Sequence, residues 1–378
     1  MAVVNGTRYT YTDTANNAID MSNTLAMISP SDVPLLSMIG KDSLSKPCTA
    51  VKHEWLEDTL RPLDTLLATQ GAFSGTGAVN DAVVTTGQGV YLAVNDVLQL
   101  ESELVLITGV STDTLTVTRA YGGSTAASHA NGTAIRVIGS VAVQGAAIGP
   151  ARTTTKSGRY NYTQIYNQSV TLTSTQRSTD KWTGPSNELA GQLDREMRIA
   201  WILYERSLLA GRKVAASAGV AGAMDGILPV ISTNAYAKSG AVLVEEFVLQ
   251  AMQDAWTAGG NINKIVLAAF QKRQGNKFLD SQRQTTRTDR IAGVVVDTYT
   301  SDFGVADIVL DRNMPTDTVL FLDTDKIGFG PLQGGNGLRA VHIADTTALA
   351  ETWQIVGEYT AEVRNENAHA KITGLATA

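Results

Sequence analysis

The sequence predicts an α+β protein in which a small all-β module interrupts a chain that also carries one long amphipathic helix and an α/β segment. Three observations lead to this fold class. Short β-rich runs occur at hairpin spacing in residues 88–140, apolar residues recur at helical spacing from Leu189 to Leu208, and helices alternate with strands from about 240 to 340. The order of these features along the chain sets the domain boundaries proposed below.

The composition is that of a protein whose surface is largely hidden. Of its 378 residues, 43% are hydrophobic and only 17% are charged, against about 25% charged residues in typical globular proteins. Because charged residues are depleted where proteins meet, we expect extensive contacts with neighbouring subunits. The net charge of −6 argues against avid binding of nucleic acid. We find no signal peptide and no bilayer-spanning stretch, so we expect a cytoplasmic origin and no membrane partner.

Residues 1–50 have the pattern of an N-terminal arm. They are polar at first and then carry short apolar patches, including Leu35 and Leu36, which prolines interrupt. An irregular apolar segment cannot form a core of its own and must therefore lie on something else. Two interpretations stay open, namely a clamp on its own subunit and an arm on a neighbouring one.

Residues 51–180 contain the β module, which we place at 88–140. Stretches rich in Gly, Ala and Thr flank it and have the composition of flexible joints. Gly, Asn, Asp and Ser separate its short β-rich runs. These runs are 90–92, 97–100, 103–110, 115–118 and 134–138, with a turn at 111–113. The spacing predicts a compact domain inserted into a longer loop.

Residues 181–229 carry the strongest helix signal. The predicted helix begins near residue 185 and ends at Gly211, which makes it about 25 residues and roughly 37 Å long. Charged residues, among them Glu205 and Arg206, are expected on its outer face. The apolar stripe on the other face is Leu189, Leu193, Met197, Trp201, Tyr204 and Leu208. A solitary helix of this length usually needs a sheet to lie across.

Residues 230–340 alternate helices and strands. The predicted helices are 245–257 and a basic one at 269–282, and the predicted strands are 265–268, 293–298, 307–310 and 319–322. Strands return at 352–363 and 369–372. We therefore interpret 230–340 as a domain inserted into another one, to which residues 341–378 return.

A basic stretch, residues 271–290, covers most of the second of these helices and continues beyond it. It holds six basic residues against Asp280 and Asp289, a local charge of +4. The basic residues are Lys272, Arg273, Lys277, Arg283, Arg287 and Arg290. The stretch is either a solvated helix face with a loop behind it, or a contact with an acidic neighbour or, weakly, with DNA.

No residue pattern indicates catalysis, a metal or a cofactor, and we expect none of them. The segment that begins at His53 resembles the helical zinc-protease signature, but Glu57 stands where the second histidine is needed. The segment that begins at Asp323 resembles a calcium loop, but Ile327 stands where an oxygen ligand belongs. Cys48 is the only cysteine, which excludes an intramolecular disulfide and indicates a packed thiol.

The segment order and a set of short motifs resemble the major capsid proteins of tailed bacteriophages with the Hong Kong 97-like fold, in a branch that carries a β module in its extended loop. The resemblance covers nearly the whole chain. Its motifs are Pro34-Leu35-Leu36, Ile39-Gly40-Lys41, Glu54-Trp55, Asp58, Asn167-Gln168, Thr175-Gln176, Met224-Asp225-Gly226-Ile227, Tyr299, Ser301-Asp302-Phe303-Gly304, Asp311-Arg312-Asn313-Met314-Pro315, Gly357-Glu358-Tyr359-Thr360 and Arg364-Asn365-Glu366-Asn367-Ala368.

The resemblance implies a domain for each segment. Residues 1–50 would be the N-terminal arm, and 51–180 the extended loop with strands of the peripheral domain. Residues 181–229 would be the peripheral domain with its spine helix, 230–340 the axial domain, and 341–378 the returning strands of the peripheral domain.

The resemblance also implies a function. The chain would be a virion protein that assembles in the host bacterial cytoplasm into pentamers and hexamers of an icosahedral head enclosing double-stranded DNA. Its partners would be copies of itself, a separate scaffolding protein, a portal and decoration proteins, with weak contact to packaged DNA. The residues expected at assembly contacts are Leu35, Leu36, Trp55, Leu189, Leu193, Met197 and Trp201.

Other classes of protein stay open at this point. An encapsulin-type bacterial compartment shares the fold, although the β module and the motifs count against it. A tail or spike protein would suit the β content, but the long helix and the α/β segment fit it poorly. An enzyme is opposed by the missing catalytic constellation.

Overall fold

The computed structural model describes residues 32–68, 79–146, 148–179, 188–279, 297–334, 337–343 and 349–377. The chain divides into two compact units. The β unit is Leu56–Gly158, and the main unit combines Met1–Trp55 with Arg159–Ala378. The chain therefore leaves the main unit once and returns to it once.

Six α-helices and eighteen strands lie in the described residues. The helices are α1 (Pro34–Ile39), α2 (Ser174–Ser178), α3 (Glu188–Ala210), α4 (Ile227–Val230), α5 (Glu245–Thr257) and α6 (Ala269–Leu279). The strands are β1 (Lys52–Glu57), β2 (Asp64–Leu66), β3 (Val79–Val83), β4 (Asp96–Leu100), β5 (Glu103–Ser111), β6 (Thr114–Thr118), β7 (Ala134–Ser140), β8 (Ser157–Tyr162), β9 (Gln164–Thr173), β10 (Ala235–Ala241), β11 (Lys264–Leu267), β12 (Asp297–Ser301), β13 (Gly304–Leu310), β14 (Val319–Leu322), β15 (Ile327–Pro331), β16 (Arg339–Ile343), β17 (Ala350–Val363) and β18 (Ala370–Leu375).

The β unit is one antiparallel sheet with its own hydrophobic core. Its six strands lie in the order β2-β7-β4-β5-β6-β3. Alternate residues of β5 point inward, which is the expected period of a half-buried strand. The two-residue loop Thr112-Asp113 joins β5 to β6, and Thr112 takes the positive φ that such tight turns need. The core includes Leu100, Val105 and Leu115.

The first sheet of the main unit is mixed and supports α5. Its six strands lie in the order β10-β18-β14-β11-β13-β12, with β10 parallel to β18 and β11 parallel to β13. The helix α5 places Val248, Met252 and Ala255 against Phe321 and Ile372 of this sheet. The 3.6-residue period of the helix and the short apolar strands thus form one buried layer.

The second sheet of the main unit lies under the long helix α3. The fourteen-residue strand β17 pairs with β9 along ten residues, and also with β16 and β15. The core of this region joins Tyr204 and Leu208 of α3 to Phe329 and Tyr359 of the sheet. The long helix therefore does lie across a sheet, as its amphipathic pattern requires.

Several predicted elements differ from the structure. Residues Gly89–Tyr91 form a 3₁₀ turn and not a strand, because the Tyr91 and Leu92 amides donate to the Gln88 and Gly89 carbonyls within the turn. The β sheet is also wider than residues 88–140, since β2 and β3 belong to it.

The strand pairing of residues 341–378 also differs from the prediction. We expected residues 341–378 to join the sheet beside the long helix, and β17 does so. The last strand, β18, instead pairs with β10 and β14 in the sheet under α5, because its Ala370 and Ile372 fill the core of that layer. In reverse, β15 lies within 230–340 yet pairs with β17.

Three predicted boundaries lie outside the described residues. These are the start of the long helix near residue 185, the end of the basic helix after Leu279 and the beginning of the strand at 293–298.

Candidate functional sites

The helix α1 is fixed to the main unit by its own leucines. It begins at Pro34, whose restricted φ suits the first turn of a helix. Leu35 and Leu36 are fully buried and lie in the same core as Tyr204 and Leu208 of α3. Residues 34–39 are thus a clamp on their own subunit. Neither leucine has surface left for a neighbouring subunit, so any part they play in assembly goes through the stability of the subunit.

Two buried carboxyl groups lie beneath this clamp. Glu205 Oε2 accepts a hydrogen bond from the Leu36 amide at 3.1 Å, and Glu205 Oε1 accepts one from Asn313 Nδ2 at 2.9 Å. Asp311 Oδ1 accepts the Asn313 amide at 2.7 Å. Among the described residues, Asp311 Oδ2 is buried without a hydrogen-bond partner. Glu205 and Asn313 therefore connect α1, α3 and the turn after β13.

The burial of this pair disfavours its ionised form. Burial and, after it, the negative charge of Asp311 raise the pKa of Glu205 to about 8, against the hydrogen bonds from Asn313 and Leu36. Burial likewise raises the pKa of Asp311. In the described part of the chain, no salt bridge reaches either carboxyl group.

Sequence reasoning placed Glu205 on the wrong face of the helix. It lies four residues after the half-buried Trp201 and four before the buried Leu209, so helical geometry puts it on the packed face. That spacing could have revealed it. The partner Asp311 could not have been found this way, because it is more than a hundred residues further along the chain.

A second buried cluster holds the segment that follows α1. Glu362 accepts hydrogen bonds from Ser45 N at 3.1 Å and Ser45 Oγ at 2.8 Å, and its Oε1 lies 2.5 Å from His53 Nε2. Burial would raise the pKa of Glu362, but the bonds from His53 and Ser45 lower it below its usual value. A Cβ at Gly328 would lie 2.9 Å from the Ser43 carbonyl oxygen, so only glycine lets the segment pass this close to β15.

The third cluster lies inside the β unit. Arg119 donates from Nε to Glu103 Oε1 at 2.8 Å and from Nη2 to Glu103 Oε2 at 2.5 Å. His129 Nε2 lies 2.9 Å from Glu103 Oε2, and all three side chains are buried. Burial alone would raise the pKa of Glu103, but Arg119, the Ala127 amide and His129 lower it to about 2. The charges are therefore paired, as buried charges must be.

The apolar stripe of α3 is buried unevenly. Leu189 packs with Val170 and Leu172 of β9, and Leu193 lies at the edge of this cluster. Met197 is half-buried. Trp201 is also half-buried and lies under Lys41, whose Nζ is 3.9 Å from the ring centroid. The structure thus uses the predicted stripe to seat α3 on its sheet, with Trp201 at the margin.

The β unit exposes several apolar side chains. Leu60 is 94% exposed, and Leu63 and Leu66 are each about half exposed. The Leu63 carbonyl accepts the Val137 amide at 2.8 Å, which brings Leu63 next to the exposed Ile138. Apolar patches of this kind on a folded protein mark contact surfaces. The sequence singled out Trp55, which is half-buried in β1, and missed these leucines.

The basic stretch is described only in part. Arg273 and Lys277 of α6 are exposed, with the Arg273 guanidinium 5.0 Å from the Phe270 ring centroid, and Lys272 is half-buried. Arg283, Arg287 and Arg290 lie outside the described residues. The predicted contacts of this stretch stay predictions.

The described residues hold no metal site and no bilayer-spanning helix. Within them, no group of three or more His, Cys, Asp or Glu side chains could bind a metal ion. No helix in the same part of the chain is both long and apolar enough to cross a membrane. His53 bonds to Glu362 and lies on a strand, so it does not belong to a helical zinc signature.

Solved phage and particle capsids share this fold. A structure from Microbacterium phage Oxtober96 matches 97% of this chain and 98% of its own at a TM-score of 0.53 and 10% identity. The capsid of the native GTA particle matches 98% of this chain and 99% of its own, at a TM-score of 0.52 and 10% identity. The capsid of the empty GTA particle matches 97% of this chain and 98% of its own, at a TM-score of 0.51 and 9% identity. The architecture is therefore the Hong Kong 97-like α+β fold of capsid shell subunits.

The family of the chain is identified by a match to a protein-family model. The model of the SU10 major capsid protein matches residues 7–376, and the chain belongs to that family. It is a capsid shell subunit of the virion, and its family role is structural. The family match favours a phage capsid over an encapsulin-type compartment. No curated protein matches the chain significantly.

Proposed function

We propose that this subunit forms pentamers and hexamers that close into an icosahedral head around double-stranded DNA. In this proposal residues 1–50 form the N-terminal arm, whose part before the clamp reaches a neighbouring subunit. Residues 51–180 form strands of the peripheral domain and an extended loop that carries the β unit to a neighbouring subunit. The peripheral domain combines 181–229 with the strand β17 of 341–378, and 230–340 form the axial domain, whose sheet the last strand β18 joins. The chain performs no catalysis of its own.

The exposed leucines of the β unit carry this proposal. Leu60, Leu63, Leu66 and Ile138 all leave apolar surface in contact with water. Contact with a neighbouring subunit would bury this surface. The low charge of the whole chain, 17% of residues, fits a surface that is covered after assembly. Each overlap between subunits is small, but every subunit makes several, so multivalent closure gives a stable shell.

Further partners follow from the same proposal. We infer assembly in the host cytoplasm with a separate scaffolding protein, a portal and decoration proteins. The exposed Arg273 and Lys277 support a weak contact of α6 with packaged DNA or with an acidic neighbour. Such a contact would weaken as the salt concentration rises.

A charge placed on the exposed patch tests the proposed contact. We expect Leu60→Glu to fold normally, since Leu60 is 94% exposed, and to lower the yield of shells at least about tenfold, because burial of an unpaired carboxylate costs several kcal/mol per contact. The measurement is negative-stain electron microscopy of full-length protein expressed together with the neighbouring head genes. Circular dichroism checks that the variant is folded.

The matched control is Ser111→Glu, which adds the same charge at the exposed last residue of β5 in the same unit. It should form shells at the wild-type yield. Normal shells from Leu60→Glu would show that this patch is not a subunit contact. An absence of shells from the wild-type protein would contradict the icosahedral assembly itself.

A further inference from the structure

The carboxyl groups of Glu205 and Asp311 are buried together, and among the described residues neither forms a salt bridge, although the charge of Arg206 acts on Asp311. Both side chains have no accessible surface. The charged groups around them belong to α3, to the turn after β13 and to the residues before α1. Arg206 donates to Asn313 Oδ1 at 3.1 Å, and Arg312 pairs with Asp32 at 3.3 Å. The helix α1, which covers the pair, carries no charged residue.

Two ionised carboxylates cannot share such a site. Burial of one unpaired charge is already costly, and a like charge beside it adds repulsion. Asp311 Oδ2 is also buried without a hydrogen-bond partner in the described part of the chain. A proton held by the pair removes one charge and gives the site a hydrogen-bond donor. The geometry therefore indicates a bound proton.

We propose that Glu205 and Asp311 form a proton-binding site that holds α1 on the main unit, so that detachment of α1 releases a proton. The contact that transmits this coupling is the hydrogen bond from the Leu36 amide to Glu205 Oε2. When α1 lifts, water reaches the pair and both carboxyl groups ionise. Attachment of α1 thereby becomes weaker as the pH rises. This inference concerns the folded subunit and does not depend on the proposed assembly.

The direction and the range of the pH dependence follow from the difference in the pKa of Glu205 between the attached and detached forms. The attached form holds its proton up to a pKa of about 8 at Glu205, whereas an exposed glutamate releases it near 4.5. Between these values each pH unit favours detachment about tenfold, and above pH 8 the effect levels off, since both forms are then ionised. The attached form of α1 should therefore be favoured at acidic pH and disfavoured at alkaline pH.

Hydrogen exchange of the α1 amides in the full-length protein tests the proposal. After correction for the intrinsic exchange rate, protection of the amides of residues 35–39 should fall about fiftyfold from pH 6 to pH 8 in the wild type. In Glu205→Gln the fall should be less than about threefold, because the neutral amide has no proton to release. Asp194→Asn, which removes an exposed carboxylate from the same helix, should behave like the wild type.

A second measurement keeps the test valid if Glu205→Gln does not fold. In wild-type protein labelled with ¹³C at glutamate carboxyl carbons, one resonance should titrate near pH 8, and it should shift in Asp311→Asn. Protection of α1 that is independent of pH in the wild type would overturn the proposal. So would an unchanged pH dependence in a folded Glu205→Gln protein.

Discussion

Glu103 of the β unit and Glu205 of the main unit are both buried, yet their pKa values move in opposite directions. Glu103 lies beside Arg119 and accepts several hydrogen bonds, which lower its pKa to about 2 in spite of burial. Glu205 has no cation beside it in the described residues, and burial raises its pKa to about 8. The identity of the residue did not decide this. The neighbouring side chains did, and they come from the end of the adjacent hairpin for Glu103 and from a segment more than a hundred residues away for Glu205.

The cluster around Glu103 predicts a large and local effect of one substitution. Arg119→Met leaves Glu103 buried beside a neutral side chain, and we expect this to lower the free energy of unfolding of the β unit by about 3–5 kcal/mol. Native-state hydrogen exchange of the β5 and β6 amides measures the loss. The loss should shrink as the pH falls below about 4.5, because the lowered pKa of Glu103 stabilises the fold only while its carboxyl group is ionised.

Arg136→Met is the matched control for this substitution. Its ion pair with Asp64 is exposed on both sides, with 69% and 64% of the two side chains accessible, so its removal should cost less than about 1 kcal/mol. Equal losses in the two variants would contradict the role assigned to the buried cluster.

At the scale of elements, the sequence pattern predicted the helices and hairpins that depend on residues close together in the chain. The bounds of α5 are those that its apolar period and its closing glycines indicated. The strands β4, β5 and β6 were also predicted, because alternation and turn residues define hairpins from short range. The segment Gly89–Tyr91 is apolar enough for a strand but has no partner strand, and its sequence alone does not show this.

Pairings between distant strands could not be predicted from the sequence. The ladder of β9 and β17 joins residues almost two hundred positions apart, and β18 crosses into the sheet under α5. Register between such strands depends on the complete core, since each candidate strand has similar apolar content. The buried clusters of Glu205 and Glu362 share this property, and only the helical position of Glu205 left a signal in the sequence.

The extent of the β unit gives a prediction at this scale. We expect residues 56–158 to fold alone, because all six strands and a separate core are then present. The shorter fragment 88–140 should be unfolded, or less stable by more than about 3 kcal/mol, since it lacks Leu67 and Val84 of that core. Urea unfolding followed by far-ultraviolet circular dichroism compares them. A cooperative transition of equal midpoint in both fragments would contradict the wider unit.

At the scale of the whole molecule, the clamp at residues 34–39 divides the predicted N-terminal arm. Residues 34–39 contribute Leu35, Leu36 and Ile39 to the core of the main unit. Residues 1–31, which precede them, lie outside the described residues. The sequence suggested one arm over residues 1–50, but the core contacts divide this range into a part that folds the subunit and a part that is free to serve assembly in our proposal.

Two truncations separate these parts. Deletion of residues 1–31 keeps α1, so we expect a folded subunit with wild-type thermal stability that forms few or no shells. Deletion of residues 1–40 also removes three core side chains, each worth about 2–5 kcal/mol, and exposes the buried Glu205. This second protein should be insoluble or should unfold at a clearly lower temperature. Differential scanning calorimetry measures stability, and electron microscopy of the same preparations scores shells. Normal shells from the shorter deletion would contradict an assembly role of residues 1–31, and a stable subunit after the longer deletion would contradict the clamp.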